Sequence, residues 1–255
     1  MKIYFMTNNN IYFVANWKMY GNLASKNSIN NVIKLTKLKK FKKIRIVYCP
    51  PYTLLNVFVK KTKNTKIYVG AQNCHYKLDY GSFTGFINAK MIKDTGSKFV
   101  IVGHSESRKE GDTDKKINLK IKSALDSNLK VIFCIGETGY QKTNKQTYLT
   151  LQKQITSGLK NIKKFQNIII AYEPVWSIGS GIVPNNKLLT KTITFIKKTL
   201  KEKIKKEDIK IFYGGSVNTN NVKKLRKIKQ IDGFLVGSAS LKAKKFIDII
   251  KKSII

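Results

Sequence analysis

Glu173 ends an apolar run, Ile168-Ile169-Ile170, and opens the segment Glu173-Pro174-Val175-Trp176-Ser177-Ile178-Gly179-Ser180-Gly181. The run reads as a buried strand, which makes Glu173 an ionisable carboxylate at a strand's carboxyl end. Pro174 stiffens the entrance of the segment that follows, Gly179 and Gly181 loosen its far end, and Trp176 and Ile178 give it an apolar body. A carboxylate base beneath an apolar flap with hinges describes a lid that excludes water from a proton transfer. An ordinary turn after a strand-end Glu is the competing reading of this segment alone.

Other residues suit the same chemistry. His104, in Gly103-His104-Ser105-Glu106, follows another apolar run, where an imidazole fits acid–base or electrophilic work. The chain has only 2 histidines, too few for a multi-histidine metal site. The second, His75, lies in the polar stretch Asn73-Cys74-His75-Tyr76 and reads as a loop residue. Lys18, just past the first apolar run in Asn16-Trp17-Lys18, offers an ammonium for a bound anion. Gly214-Gly215-Ser216 and Gly237-Ser238 follow the last two runs, where backbone N–H groups commonly hold a phosphate. Plain tight turns are the alternative there. One carboxylate, one imidazole, one ammonium and a phosphate cradle, with no cofactor motif, fit proton abstraction beside a carbonyl in a small phosphorylated molecule.

The elements that must position these residues are short and regularly spaced. Eight β-rich runs recur: Ile11–Ala15, Ile44–Cys49, Ile67–Ala71, Phe99–Val102, Val131–Ile135, Ile168–Ala171, Ile209–Tyr213 and Phe234–Val236. Helical spacing follows them, as in Leu188/Leu189, Ile193, Ile196, Leu200, Ile204 and in Leu151, Ile155, Leu159, Ile162. Alternating strands and helices pair in parallel through right-handed crossovers, and a sheet covered on both faces needs continuously apolar strands. Eight units without a linker predict a single-domain α/β fold, a closed (β/α)8 TIM barrel over 11–255. A doubly wound open sheet is the alternative, but no G-x-G-x-x-G follows the first run. In the barrel, the polar residues at the strands' carboxyl ends meet at one mouth.

At 255 residues, with 42% hydrophobic and 11% aromatic side chains, the chain can bury a large core. No apolar run reaches the ~18 residues that cross a bilayer. Residues 1–10 read as a short, poorly ordered extension, with Met6 as a second candidate start. Three cysteines at unrelated spacings form neither a disulfide framework nor a zinc pattern and suit a reducing cytoplasm. The balance of 50 Lys+Arg against 14 Asp+Glu leaves +36, which raises nucleic-acid binding as a reading. The lysines are spread over every helical segment rather than gathered, so drift toward Lys, Asn and Ile explains them without a specific nucleic-acid partner.

On these motifs the chain resembles the triosephosphate isomerase family, from about Tyr12 to its last helix. The resemblance rests on Asn16-Trp17-Lys18-Met19, Ala71-Gln72-Asn73, Gly103-His104-Ser105-Glu106, Cys134-Ile135-Gly136-Glu137, the Ala171–Gly181 lid, Tyr213-Gly214-Gly215-Ser216-Val217 and Val236-Gly237-Ser238-Ala239-Ser240-Leu241. It implies interconversion of dihydroxyacetone phosphate and D-glyceraldehyde 3-phosphate, in glycolysis and gluconeogenesis, without metal or cofactor. By position it implies Glu173 as base and His104 as the family's neutral imidazole. Lys18 becomes the electrostatic anchor, Asn16 its substrate-binding neighbour and Glu106 the carboxylate that positions Lys18. Gly179, Ser216, Gly237 and Ser238 would grip phosphate; Ile178 and Leu235 would clamp the base, with Tyr213 beside the lid. It also implies a homodimer in which the loop around Thr84 inserts near the partner's Asn16 and Lys18. Several positions depart from the family. Ser238 replaces a glycine, at a cost of ~1–2 kcal/mol if the backbone there is left-handed. Ser177 and Ser180 replace the usual Ala and Thr. Ser107 and Phe86 stand where the family has an inter-subunit Arg–Glu pair.

Overall fold

The structure, a computed structural model, describes residues 10–254. The expected extension therefore lies, apart from Asn10, outside the described residues. Eight parallel strands close into a barrel in chain order: β1 Ile11–Asn16, β2 Ile44–Cys49, β3 Ile67–Ala71, β4 Phe99–Val102, β5 Lys130–Ile135, β6 Ile168–Tyr172, β7 Lys210–Tyr213 and β8 Gly233–Val236. The ring shuts where β1 pairs with β8, Ala15 lying opposite Val236.

The strand period of two sorts the apolar side chains into two layers. Val14, Val47, Ile101, Ile132, Ile169, Ala171, Phe212 and Leu235 fill the barrel's inside. Their neighbours, such as Phe13, Ile46, Val100, Phe133 and Ile170, face outward into the larger core against the helices. Both faces are dry, which is why the runs in the sequence are unbroken.

Helices cover the outside: α1 Asn30–Lys37, α2 Leu55–Thr62, α3 Ala89–Asp94, α4 Ser105–Lys109, α5 Asp114–Asp126, α6 Gly139–Thr143, α7 Thr147–Gly158, α8 Asn186–Thr199, α9 Val222–Leu225 and α10 Ala243–Ser253. In α8, Leu189, Ile193 and Ile196 form the buried stripe, and the Asn185 side chain caps it by accepting the Leu188 N–H at 2.8 Å. Beyond Thr199 the chain widens into a π turn, Leu200–Ile204, so the end of the expected stripe packs from a different geometry. Helix α7 stops at Gly158, and Leu159 and Ile162 pack from the turn after it.

Candidate active site

Parity places Glu173. In β6, Ile169 and Ala171 point into the barrel, so Glu173, two residues on, points the same way at the mouth. Its N–H donates to the Ile135 carbonyl at 2.8 Å, tying it to the end of β5. Gly136 is required beside it: a Cβ there would fall 1.7 Å from the Glu173 carbonyl oxygen. Glu173 is 2% exposed. Burial pushes its pKa above the ordinary glutamate value, opposed by His104, Cys134 and Lys18.

His104 sits at the N-cap of α4, its Nδ1 accepting the Glu106 N–H at 3.3 Å. That bond assigns the proton to Nε2, which lies 3.4 Å from Glu173 Oε1. The Glu106 carboxylate is also 3.5 Å from Nδ1. The backbone contact is the shorter, and the carboxylate already accepts from Lys18 Nζ at 2.6 Å, so we assign the tautomer from the backbone bond. Burial pushes Glu106 up, but the Lys18 ammonium, with His104 and Lys109, holds it below the usual carboxylate range.

Lys18 has a left-handed backbone, φ 54°, uncommon for a residue with a side chain. Two bonds hold it there: Gln72 Nε2 donates to the Lys18 carbonyl at 2.8 Å, and the Lys18 N–H donates to Asn16 Oδ1 at 3.1 Å. Gln72 also donates to the Cys49 carbonyl, anchoring the arrangement to β2.

Glu173, His104, Glu106 and Lys18 line one cavity of ≈ 570 Å³ with Asn16, Ile178, Gly179, Ser216, Leu235, Gly237 and Ser238. Ser238 opens a 3-10 turn, Ser238–Ser240, and its backbone is not left-handed, so the expected penalty does not arise. Pro174, Val175, Trp176, Ser177 and Ser180 do not line the cavity, nor does Tyr213. They belong to the segment that follows β6, with Tyr213 buried at the end of β7. Trp176 Nε1 donates to Glu137 Oε1 at 2.8 Å, and the Tyr172 hydroxyl donates to the same carboxylate. Burial pushes Glu137 up, eased by those bonds. The Lys142 ammonium sits 3.3 Å from the Trp176 ring centre.

Several supporting residues carried no readable signal in the sequence. Gln72 and Glu137 lie in motifs quoted above, but only the fold shows what they touch. Gln154, on α7, bonds both the N–H and the carbonyl of Gly136. Arg108 donates to the Gly103 and Cys134 carbonyls while pairing with Asp114. Gly136 lies 18 residues from Gln154 and Cys134 lies 26 from Arg108, so spacing could not find those two contacts. Among the described residues no group of three His, Cys, Asp or Glu is arranged to hold a metal, and no helix is long and apolar enough to cross a membrane.

A family model described as triosephosphate isomerase matches residues 11–253. A triosephosphate isomerase of Dictyoglomus thermophilum is 41% identical over 244 residues, 93% of this chain and 97% of the relative. One of Alkaliphilus oremlandii is 37% identical over 242 residues, 92% of this chain and 96% of the relative. A crystal structure of triosephosphate isomerase from Bartonella henselae superposes with a TM-score of 0.87 at 30% identity, covering 95% of this chain and 98% of the other.

Proposed function

This chain belongs to the triosephosphate isomerase family and interconverts dihydroxyacetone phosphate and D-glyceraldehyde 3-phosphate in glycolysis, and we propose that Glu173 is the base that carries the proton. In this reading the Glu173 carboxylate takes a proton from the carbon beside the carbonyl. The electrons of that C–H bond form an enediolate. The Nε2–H of His104 and the ammonium of Lys18 meet the negative charge that develops on oxygen. His104 gives its Nε2 proton to the charged oxygen and takes one back from the neighbouring hydroxyl, and Glu173 returns its proton to the neighbouring carbon, so the carbonyl changes places and nothing is consumed. The observation that carries the assignment is the 3.4 Å approach of Glu173 Oε1 to His104 Nε2 at one wall of a cavity that Lys18 also lines.

The phosphate would lie on the N–H groups of Gly179, Ser216, Gly237 and Ser238, whose loops line that cavity. Asn16 would hold the substrate beside Lys18, and Ile178 and Leu235 would desolvate the base as the lid closes. Glu106 acts through Lys18, fixing the ammonium by their 2.6 Å contact. A coupled assay with glyceraldehyde 3-phosphate in the presence of a chelator tests this, with Glu173→Gln beside it. Turnover in the parent and its near-complete loss in the variant is the expected pair of results. Undiminished turnover in the variant removes Glu173 from the role.

The working unit we propose is a cytoplasmic homodimer in which the loop around Thr84 inserts beside the partner's copy of the Asn16–Lys18 segment. Support comes from apolar side chains left open on both segments: Met19 is 94% exposed, Tyr20 58% and Phe86 61%. His75 packs on Tyr76, Phe83 and Phe86 at centroid distances of 4.3, 4.7 and 4.9 Å, giving that loop an aromatic body. With Phe86 and Ser107 in place of the family's ion pair, both charges are absent together and neither is left stranded at the proposed interface. The cytoplasmic reading is supported by Cys49, Cys74 and Cys134, all free and buried, which suit a reducing compartment.

A further inference from the structure

Ser177 has no exposed surface, and its one hydroxyl makes three hydrogen bonds. Oγ donates to the Ile182 carbonyl at 2.5 Å, across the base of the lid. With that proton committed, Oγ accepts from the Tyr213 hydroxyl at 3.3 Å and from the Ser216 N–H at 3.4 Å. A serine hydroxyl has one donor and two acceptor positions, so its capacity is used in full. Ser177 precedes the lid's exposed tip and Ile182 follows it, while Tyr213 and Ser216 belong to the end of β7 and its loop. One side chain therefore ties both ends of the lid to the loop behind the cavity. Gly215 permits the approach: a Cβ there would lie 2.3 Å from the Tyr213 oxygen and 2.9 Å from Ser177 Oγ.

We propose that Ser177 is a positioning residue, a latch that holds the lid in the geometry in which the Ser216 N–H is directed at Ser177 Oγ, until a phosphate oxygen takes that N–H over. The proposal rests on the reading above, in which that N–H binds the substrate's phosphate. The exchange runs toward ligand because an N–H bond to an anion is stronger than one to a neutral hydroxyl. In the unliganded state the latch competes with phosphate and so lowers its apparent affinity. An alanine at 177 leaves the liganded state its phosphate bonds but deprives the unliganded state of this acceptor. Product release, which needs the lid to return, should then slow.

The test is calorimetric titration of the parent and Ser177→Ala with inorganic phosphate, alongside steady-state kinetics and thermal melts. The expected result is phosphate bound about 3–10-fold tighter by the variant, a shift that loss of about one competing hydrogen bond produces, with kcat and KM both reduced. Tyr213→Phe, which removes one arm of the same cluster, should tighten phosphate less, and adding it to Ser177→Ala should add little. Equal or weaker phosphate binding by a Ser177→Ala protein that melts like the parent overturns the latch and leaves the phosphate reading standing. Failure of the parent to bind phosphate overturns both. Where Ser177→Ala does not fold, Tyr213→Phe alone decides: unchanged phosphate affinity overturns the latch.

Discussion

Glu173 combines a buried position with a proposed role that requires charge. Burial, the largest influence, raises its pKa above the ordinary 4.5, so the folded chain holds this proton more firmly than the unfolded one. Its contribution to stability is therefore greatest at low pH and is lost as pH rises through the folded value. Activity has the opposite sign, because only the ionised form is a base. The acid limb of kcat/KM should fall at a pH above that of an ordinary glutamate, measured as a pH–rate profile; a limb at or below the ordinary value contradicts this placement. Glu106 is held low by Lys18 and stays charged through that range, so it does not set that limb. Glu173→Asp draws the carboxylate back by about 1 Å and should cost ~10²-fold in kcat with little change in KM. Single-turnover kinetics would check that the loss lies in chemistry.

At the scale of elements, the strand ends do the positioning and the segments behind them hold the strand ends still. Gly136, just past β5, leaves no room for a Cβ beside the Glu173 carbonyl, just past β6, and Gln154 of α7 satisfies both of its backbone groups. Gly136→Ala should force β6 away from β5, destabilising the fold by about 1–3 kcal/mol or more and lowering kcat. Thermal melts and kinetics on one sample would show both; an alanine accepted with unchanged melting and turnover would mean that the strand ends can yield there. Gln154→Leu leaves a buried N–H and carbonyl without partners, for about 1–3 kcal/mol per group. A calorimetric melt should show that loss while His104 remains in place.

On the scale of the whole molecule, the feature without a local task is charge. Two copies at +36 repel across any shared interface. The screening length grows from ~8 Å at physiological salt to ~30 Å at about 10 mM. The proposed dimer should therefore dissociate more as salt is lowered, followed by sedimentation velocity at the two concentrations. Equal association at both would show that the lysines lie too far from the interface to matter.

How much of this was legible can be argued from single residues. Strand positions were readable because a sheet buried on both faces demands unbroken apolar runs, and eight such runs admit few closed arrangements. Glu173, His104 and Lys18 were readable because each ends a run, and parallel strands bring all such ends to one rim. What the linear order could not contain were contacts between residues remote in sequence: Gln72 beneath the Lys18 carbonyl, Glu137 under Trp176, and Gly136 against Glu173. Nor could it show that Ser238 avoids a left-handed backbone or that Ser177 points inward to three partners. A residue's type limits which bonds it can form, and periodicity limits the face it occupies. The partner on that face is chosen only when the ring closes and sets distances between separate strands.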